Sequence, residues 1–191
     1  MKTKRHKCTM EKREADVTAS GKNLLVEGYA AVFEQVTTLF EIDGVEYHEV
    51  IDRDAFAGCD MSDVVFKYNH SSDCLTLART KNGTLSLTVD EHGLKISAQL
   101  ADVAAGRDLY ELIKRGDIDK MSFAFKVDKD QYDNATHTRR ILRFKKIFDV
   151  SAVDFPAYDD TTISARDLFG AHAQLADEAE QRKRLTLLSM C

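Results

Sequence analysis

One stretch sets the pattern for the whole chain: Lys-Arg-Gly-Asp-Ile-Asp-Lys-Met-Ser-Phe-Ala-Phe-Lys-Val, residues 114–127. It predicts a helix that ends at Gly116, a short turn, and a strand from Met121 onward. Alternation along that strand places Ser122 on the face opposite Met121 and Phe123. A hydroxyl held on a rigid strand directly after a turn suits a nucleophile, although an ordinary polar residue on an exposed strand face gives the same pattern. Ser122 is therefore a candidate that needs a base from elsewhere in the chain.

Composition limits the classes of function. The chain has 191 residues, of which 43% are hydrophobic and 31% charged, which is typical of one globular domain with or without a tail. A net charge of −5 argues against general affinity for nucleic acid or membranes. The four cysteines are scattered without a Cys-x-x-Cys pair, which favours a reducing, intracellular compartment. Neither a phosphate-binding glycine loop nor metal-ligand spacing is present, so we expect no cofactor and no metal.

The remaining periodicity predicts a mainly β fold with helices. Beyond the strand that begins at residue 121, strands are expected at residues 24–33, 47–51, 63–70, 84–89, 94–100 and 139–153. The clearest helix spans residues 102–115, with Asp102 as a possible N-cap, and residues 52–58 could form one helical turn. Residues 128–138 are polar and are predicted to be turn-rich. Many short strands joined by turns favour a closed or partly closed β-barrel with one central helix.

The two ends of the chain differ from its middle. Residues 1–20 begin with a basic run and are predicted to form a flexible arm, residues 21–165 the barrel domain, and residues 166–191 a helical tail. The helical spacing in this tail favours a helix that packs on the barrel or serves self-association. A tail that targets the protein to a partner is the alternative.

Two further polar residues could supply the chemistry that Ser122 needs. His70 falls at the end of a predicted strand, and Asp149 lies inside an apolar run. Imidazole can accept a serine proton near neutral pH, and a carboxylate on its other nitrogen would orient it. Two plainer interpretations stay open: His70 could bond to Asp73 within a turn, and Asp149 could pair with a basic residue of its own strand. Those basic residues are Arg139, Arg140, Arg143, Lys145 and Lys146.

Short motifs in a fixed order add a family resemblance. They are Val-Glu-Gly-Tyr-Ala-Ala-Val-Phe (26–33), Glu-Val-Ile-Asp-Arg-Asp-Ala-Phe (49–56), Phe-Lys-Tyr-Asn-His (66–70), Leu-Tyr-Glu-Leu-Ile-Lys-Arg-Gly-Asp-Ile (109–118), Met-Ser-Phe-Ala-Phe (121–125) and Phe-Asp-Val-Ser-Ala-Val-Asp-Phe-Pro-Ala (148–157). Together they resemble the HK97-type phage prohead protease family, peptidase family S78, from about residue 24 to residue 165.

The resemblance implies a herpesvirus-protease-like barrel and a serine endopeptidase. By that match His70 is the general base, Ser122 the nucleophile and Asp149 the third member of the site. The family commonly has Glu at this third position, so Asp149 is one methylene shorter. Ala124 stands where a small residue, often Gly, is common.

The same resemblance implies a biological setting. The enzyme would act in the host bacterial cytoplasm, inside the immature prohead, whether encoded by a phage or a prophage. Its partners would be the phage scaffold and major capsid proteins, and it would cleave the scaffold or the scaffold-like region of the capsid protein, and itself. The alternative is a catalytically silent capsid-assembly or scaffold-associated protein that keeps the barrel. A metal-dependent hydrolase is a third class, which sensitivity to chelators would reveal.

Overall fold

The computed structural model of this protein describes residues 10–20, 24–42 and 44–154, and for residues 10–20 it describes the backbone only. The strands in these ranges are β1 (Met10–Ser20), β2 (Leu25–Val32), β3 (Thr37–Ile42), β4 (Val45–Ile51), β5 (Val65–Tyr68), β6 (Ala78–Arg79), β7 (Leu85–Val89), β8 (Gly93–Gln99), β9 (Lys120–Asp133) and β10 (Thr138–Val153). Helix α1 (Ala104–Arg115) lies between β8 and β9, and a short 3-10 turn (Thr80–Asn82) follows β6. The predicted mainly β fold with a central helix is confirmed. Across the described ranges, no helix has the length and apolarity that crossing a membrane requires.

The long β9–β10 hairpin is the centre of the sheet. The two strands pair antiparallel from Thr138 opposite Asp133 to Val153 opposite Lys120. On its other edge β10 pairs with two parallel strands in succession, first β4 and then β5. The full order is β3-β4-β10-β9-β1-β2-β8-β7, with β5 and β6 attached beside β10. The second half of β10 is therefore flanked by β5 on one side and β9 on the other.

The strand pairings do not close into a ring. In the described ranges β3 and β7 end the main path, so the closed form of the predicted barrel is not confirmed. Two backbone hydrogen bonds nevertheless join residues at the ends of the β5–β6 ribbon and of the β7–β8 hairpin. Ala101 N donates to Leu77 O at 2.8 Å, and Thr84 N donates to Arg79 O at 3.2 Å. The two groups of strands touch at these points without forming a continuous ladder.

An aromatic cluster fills the core beneath β9 and β10. The ring of Phe144 lies 4.8 Å from that of Phe56, 4.7 Å from Phe125 and 5.6 Å from Phe123, measured between centroids. The alternation of β9 sends Phe123 and Phe125 to the same face, as predicted. The opposite face of this part of β9 is also covered, since Ser122 is only 6% exposed. An exposed strand face, the plain interpretation of Ser122, is therefore wrong.

Helix α1 ends as its sequence predicts but begins differently. Gly116 takes a left-handed φ of 80°, and its N–H caps the last turn. At the other end the N-cap position is Val103, which makes no side-chain capping bond. The predicted N-cap, Asp102, instead accepts a hydrogen bond from Arg107 at 2.5 Å. The N-cap assignment was thus wrong by one residue, because the Asp102 carboxylate is held by a guanidinium.

Several predicted boundaries need correction. Residues 10–20 of the expected flexible arm form β1, which pairs with both β9 and β2. Strand β3 falls between two predicted strands, where none was expected, and β9 continues through residue 133 into the predicted turn region. Residues 52–58 form turns rather than a helical turn. The predicted tail at 166–191 lies outside the described residues, and the domain boundaries stay predictions.

Register shifts interrupt the regular alternation of β10. The β9–β10 ladder shifts at several points, two of them between Phe144 and Lys146 and between Ile147 and Asp149. Ile147, three residues after the buried Phe144, is consequently fully buried, while Phe148, which strict alternation would place on the face of Phe144, is 39% exposed. After the last shift the strand is regular, so the orientation of Asp149 is set by this bulge.

Candidate active site

Sheet order brings the three candidate residues onto adjoining elements. On β10, Asp149 lies opposite Val65 of β5, and β5 ends two residues before His70. On the other side of β10, Ser151 lies directly opposite Ser122 of β9. Residues opposite each other across a sheet, and those two apart along a strand, share a face. Ser122, Ser151 and Asp149 therefore project from one face, at the end of the sheet where His70 lies.

His70 and Asp149 form a direct hydrogen bond. His70 Nδ1 donates to Asp149 Oδ1 at 2.5 Å, and the two side chains are 3% and 14% exposed. A carboxylate accepts only, so this contact places a proton on Nδ1, and in the neutral ring Nε2 then carries the lone pair. Nε2 is buried and has no hydrogen-bond partner within the described ranges. A buried polar atom without a partner is rare in folded proteins and is typical of a functional site.

The plainer interpretations of His70 and Asp149 do not hold. His70 bonds to Asp149 rather than to Asp73, whose N–H is held by Ser71 Oγ. Four of the five basic side chains pair with other acids: Arg139 with Glu49 and Asp130, Arg140 with Glu34 and Asp52, Arg143 with Asp128, and Lys146 with Asp60. The carboxylate of Asp149 is instead held by His70 and by Ser151.

His70 sits on a strained turn. Asn69 and His70 have φ values of 51° and 53°, and Ser71 N donates to Tyr68 O at 3.1 Å. Two consecutive left-handed residues closed by this hydrogen bond define a type I′ turn. For residues other than glycine, the left-handed conformation costs roughly 1–2 kcal/mol per residue, and for Asn it costs less than for most. Such strain persists where surrounding contacts hold it, and it is concentrated at functional sites.

Asp154, directly after β10, supplies those contacts. Asn69 Nδ2 donates to Asp154 Oδ2 at 3.0 Å, while Asp154 N donates to Asn69 Oδ1 at 3.1 Å. The Tyr68 hydroxyl also donates to Asp154 Oδ2, and this bond to a carboxylate raises the pKa of Tyr68 to about 12. Asn69 N donates to Ala152 O at 2.9 Å as well. The turn that carries His70 is thus fixed to the end of β10, a role that sequence analysis missed.

Ser122 lies on β9, the strand next to the one that carries Asp149. It occupies the position opposite Ser151, yet within the described ranges no hydrogen bond joins it to His70 Nε2. Hydrogen bonds between catalytic groups are often long in a free enzyme and tighten when substrate binds. The structure therefore brings His70 and Asp149 into contact and places Ser122 on the neighbouring strand.

A histidine oriented by a carboxylate beside a strand-borne serine is the arrangement of serine hydrolases. Comparison with known proteins gives the family. Residues 9–175 match the caudovirus prohead serine protease family, peptidase S78, and the chain belongs to this family. The resemblance inferred from the motifs is thereby confirmed.

Among curated proteins the chain is similar to the prohead protease of Enterobacteria phage HK97. The two are 28% identical over 158 residues, which cover 82% of this chain and 66% of that relative. The chain thus spans just under two thirds of the length of the curated relative that it matches. No solved structure matches it.

Proposed function

We propose that this protein is a serine endopeptidase that matures phage proheads. Its family supports a prohead protease, and the His70–Asp149 hydrogen bond of 2.5 Å supports the site. In this proposal Ser122 is the nucleophile, His70 the general base and Asp149 the residue that orients the base. The substrates are the scaffold protein or the scaffold-like region of the major capsid protein, and the protease itself. The reaction takes place inside the immature prohead in the host bacterial cytoplasm.

The proposed chemistry has two halves. Ser122 Oγ attacks the carbonyl carbon of the scissile peptide bond while His70 Nε2 takes the hydroxyl proton. The proton then passes to the leaving amine, and the acyl group stays on Ser122 Oγ. Water, deprotonated by the same Nε2, hydrolyses this ester and regenerates the serine. Backbone N–H groups stabilise the negative oxygen of each tetrahedral intermediate.

Asp149 has a defined part in each half-reaction. When Nε2 takes a proton, the imidazole becomes a cation in a site that is largely shielded from water. An isolated charge in such a place is costly, and a carboxylate in contact with Nδ1 offsets that cost. The same hydrogen bond keeps the Nε2 lone pair available between turnovers. The short reach of Asp149 is sufficient here, because the turn at Asn69 and His70 brings the ring to it.

The low exposure of the proposed catalytic residues suggests when the site becomes accessible to substrate. The His70 side chain is only 3% exposed and Ser122 only 6%. Access of a peptide carbonyl to Ser122 is therefore restricted. We therefore propose that engagement with the capsid and scaffold proteins, or with a second copy of the protease, opens the site. Premature cleavage would then be limited before assembly.

The family also supports a finer description of the fold. We propose that the described strands form a partly closed barrel of the herpesvirus-protease-like kind. The two hydrogen bonds between the β5–β6 ribbon and the β7–β8 hairpin, at Leu77 and Arg79, support this arrangement.

Co-expression with the major capsid and scaffold proteins of the same phage tests the function. Intact-mass measurement compares the wild type with Ser122→Ala and with Ser86→Ala, a matched control at an exposed position of β7. We expect defined fragments with the wild type and the control, and none with Ser122→Ala. Continued cleavage by Ser122→Ala would overturn the site assignment. Assembled particles that the wild type leaves uncut would point to the silent assembly protein instead.

A further inference from the structure

Ser151 completes a chain of contacts that ends at the histidine. Its side chain is fully buried, and its Oγ donates to Asp149 Oδ1 at 3.0 Å. This is the oxygen that accepts the hydrogen bond from His70 Nδ1 at 2.5 Å. We propose that Ser151 is a positioning residue that holds the Asp149 carboxylate in the orientation His70 requires. The inference rests on the proposed function, since it assigns a role within that same site.

Strand geometry allows this contact. Residues two apart on a regular strand point the same way, so the Ser151 hydroxyl reaches back to the carboxylate of Asp149. A carboxylate oxygen has two lone pairs, and Oδ1 uses one for His70 and one for Ser151. Rotation of the Asp149 carboxylate would break both bonds together. The hydroxyl thus opposes a motion that would leave the imidazolium without its partner.

Burial strengthens the effect. A hydroxyl that donates to a carboxylate forms a charge-assisted hydrogen bond, which is stronger than one between neutral groups. Removing that donor leaves the carboxylate with one fewer partner on the oxygen that binds His70. The carboxylate would then turn toward other donors, and the His70 ring would lose its fixed orientation. Because Ser151 lies opposite Ser122, any shift of β10 here also changes the position of the nucleophile.

Ser151 is not placed as a second nucleophile. Its proton is committed to Asp149, and it is fully shielded from solvent. A buried serine could also bond to the nearest carboxylate merely to satisfy its hydroxyl, with no effect on the histidine. The two roles differ in one observable respect, the state of the His70 Nδ1 proton.

The test uses the full chain in two measurements. The first is the low-field proton NMR resonance of His70 Nδ1–H, assigned by its absence in His70→Ala. The second is the cleavage rate in co-expressed proheads as a function of pH. The variants are Ser151→Ala, Ser151→Thr, which keeps the hydroxyl, and Ser97→Ala as a control at a half-buried position of β8. Circular dichroism verifies that each variant folds.

We expect Ser151→Ala to weaken or broaden the low-field resonance and to slow cleavage roughly tenfold to a hundredfold, as for a lost hydrogen bond to a charged group. Its pH profile should also shift, while Ser151→Thr recovers most of the rate and Ser97→Ala is unchanged. A resonance and a rate equal to the wild type in Ser151→Ala would overturn the inference. A resonance lost in Ser151→Ala, in a protein that never cleaves, would support the positioning and overturn the protease function.

Discussion

Ser122 and Ser151 are direct cross-strand neighbours, one on β9 and one on β10, with Asp149 two residues before Ser151 on the same face. One short antiparallel ladder thus carries the proposed nucleophile, the carboxylate and the hydroxyl that holds it. Only His70 comes from elsewhere, from the end of the parallel strand on the other side of β10. The geometry of the site depends on β10 more than on any other element.

Replacing Asp149 by Asn tests the orientation of the base. The amide keeps the size of the side chain but offers a donor as well as an acceptor, which favours the wrong tautomer of His70. We expect the cleavage rate in proheads to fall by about a thousandfold to ten-thousandfold, as in serine proteases with the same change. Asp108→Asn, at an exposed position of α1, serves as the control. A loss of less than tenfold in Asp149→Asn would remove Asp149 from the site.

The turn at Asn69 is tested by two substitutions that both remove its side-chain bonds to Asp154. Glycine accepts the left-handed φ of 51° freely, whereas alanine does not. We therefore expect Asn69→Ala to be less stable than Asn69→Gly by about 1 kcal/mol in urea unfolding. Equal stability of the two variants would mean that this residue is not left-handed in solution.

The aromatic cluster predicts a large difference between two nearby phenylalanines. Phe144 is 1% exposed, whereas Phe148 on the same strand is 39% exposed. Truncating a buried phenylalanine removes apolar contacts and leaves a cavity, so Phe144→Ala should lower the free energy of unfolding by about 3–5 kcal/mol. Phe148→Ala should cost less than about 1 kcal/mol. Chemical denaturation measures the stability of both variants. A larger loss of stability in Phe148→Ala than in Phe144→Ala would refute the assigned register of β10.

Cys59 predicts a pH-dependent reactivity. Burial raises the pKa of its thiol to about 11, so folding favours the protonated form. Because the thiolate is the reactive species, alkylation at pH 8 should be slower than in unfolded protein by on the order of a hundredfold. The rate should rise as the pH approaches about 11. Peptide mapping by mass spectrometry after timed alkylation measures this, and equal rates in native and unfolded protein would contradict it.

The same shift has a consequence for stability. The Cys59 thiol has a higher pKa in the folded protein than in the unfolded chain. Its contribution to the free energy of unfolding is therefore complete below the unfolded pKa of about 8.5, and it is lost as the pH rises toward the folded pKa. A Cys59→Ser variant has no thiol to ionise, so it should not lose this stability between the unfolded and the folded pKa. Unfolding curves at pH 8 and pH 10 would separate the two proteins.

Short sequence patterns predict many of the helix and strand positions in this fold. Gly116 ends α1 because glycine accepts the left-handed cap, and the Asp90–Gly93 turn joins the two predicted strands that became β7 and β8. Strand β1 has no apolar run, and its pairing with β9 and β2 comes from tertiary contacts that its own pattern does not encode. The polar end of β9 was missed for the same reason.

In the candidate site, too, some features can be predicted from the sequence and others depend on tertiary structure. Residue type and placement on strands singled out His70, Ser122 and Asp149. The hydrogen bond between His70 and Asp149 depends on the parallel pairing of β5 with β10, which brings together residues 79 positions apart. The Ser151 and Asp154 contacts depend on side-chain geometry, and alternation alone cannot reveal them. Their catalytic roles stay predictions until the variants are measured.

The parallel pairing of β5 with β10 also delays the formation of the His70–Asp149 pair during synthesis. A chain is synthesised from its N-terminus, so His70 leaves the ribosome long before its partner exists. At roughly 5–20 residues per second, the 79 residues that separate it from Asp149 take about 4–16 s. During that interval β4 and β5 both lack the strand that pairs with them, and no histidine–carboxylate pair can form. If His70 and Asp149 act as proposed, the nascent chain cannot cleave the proteins being translated around it.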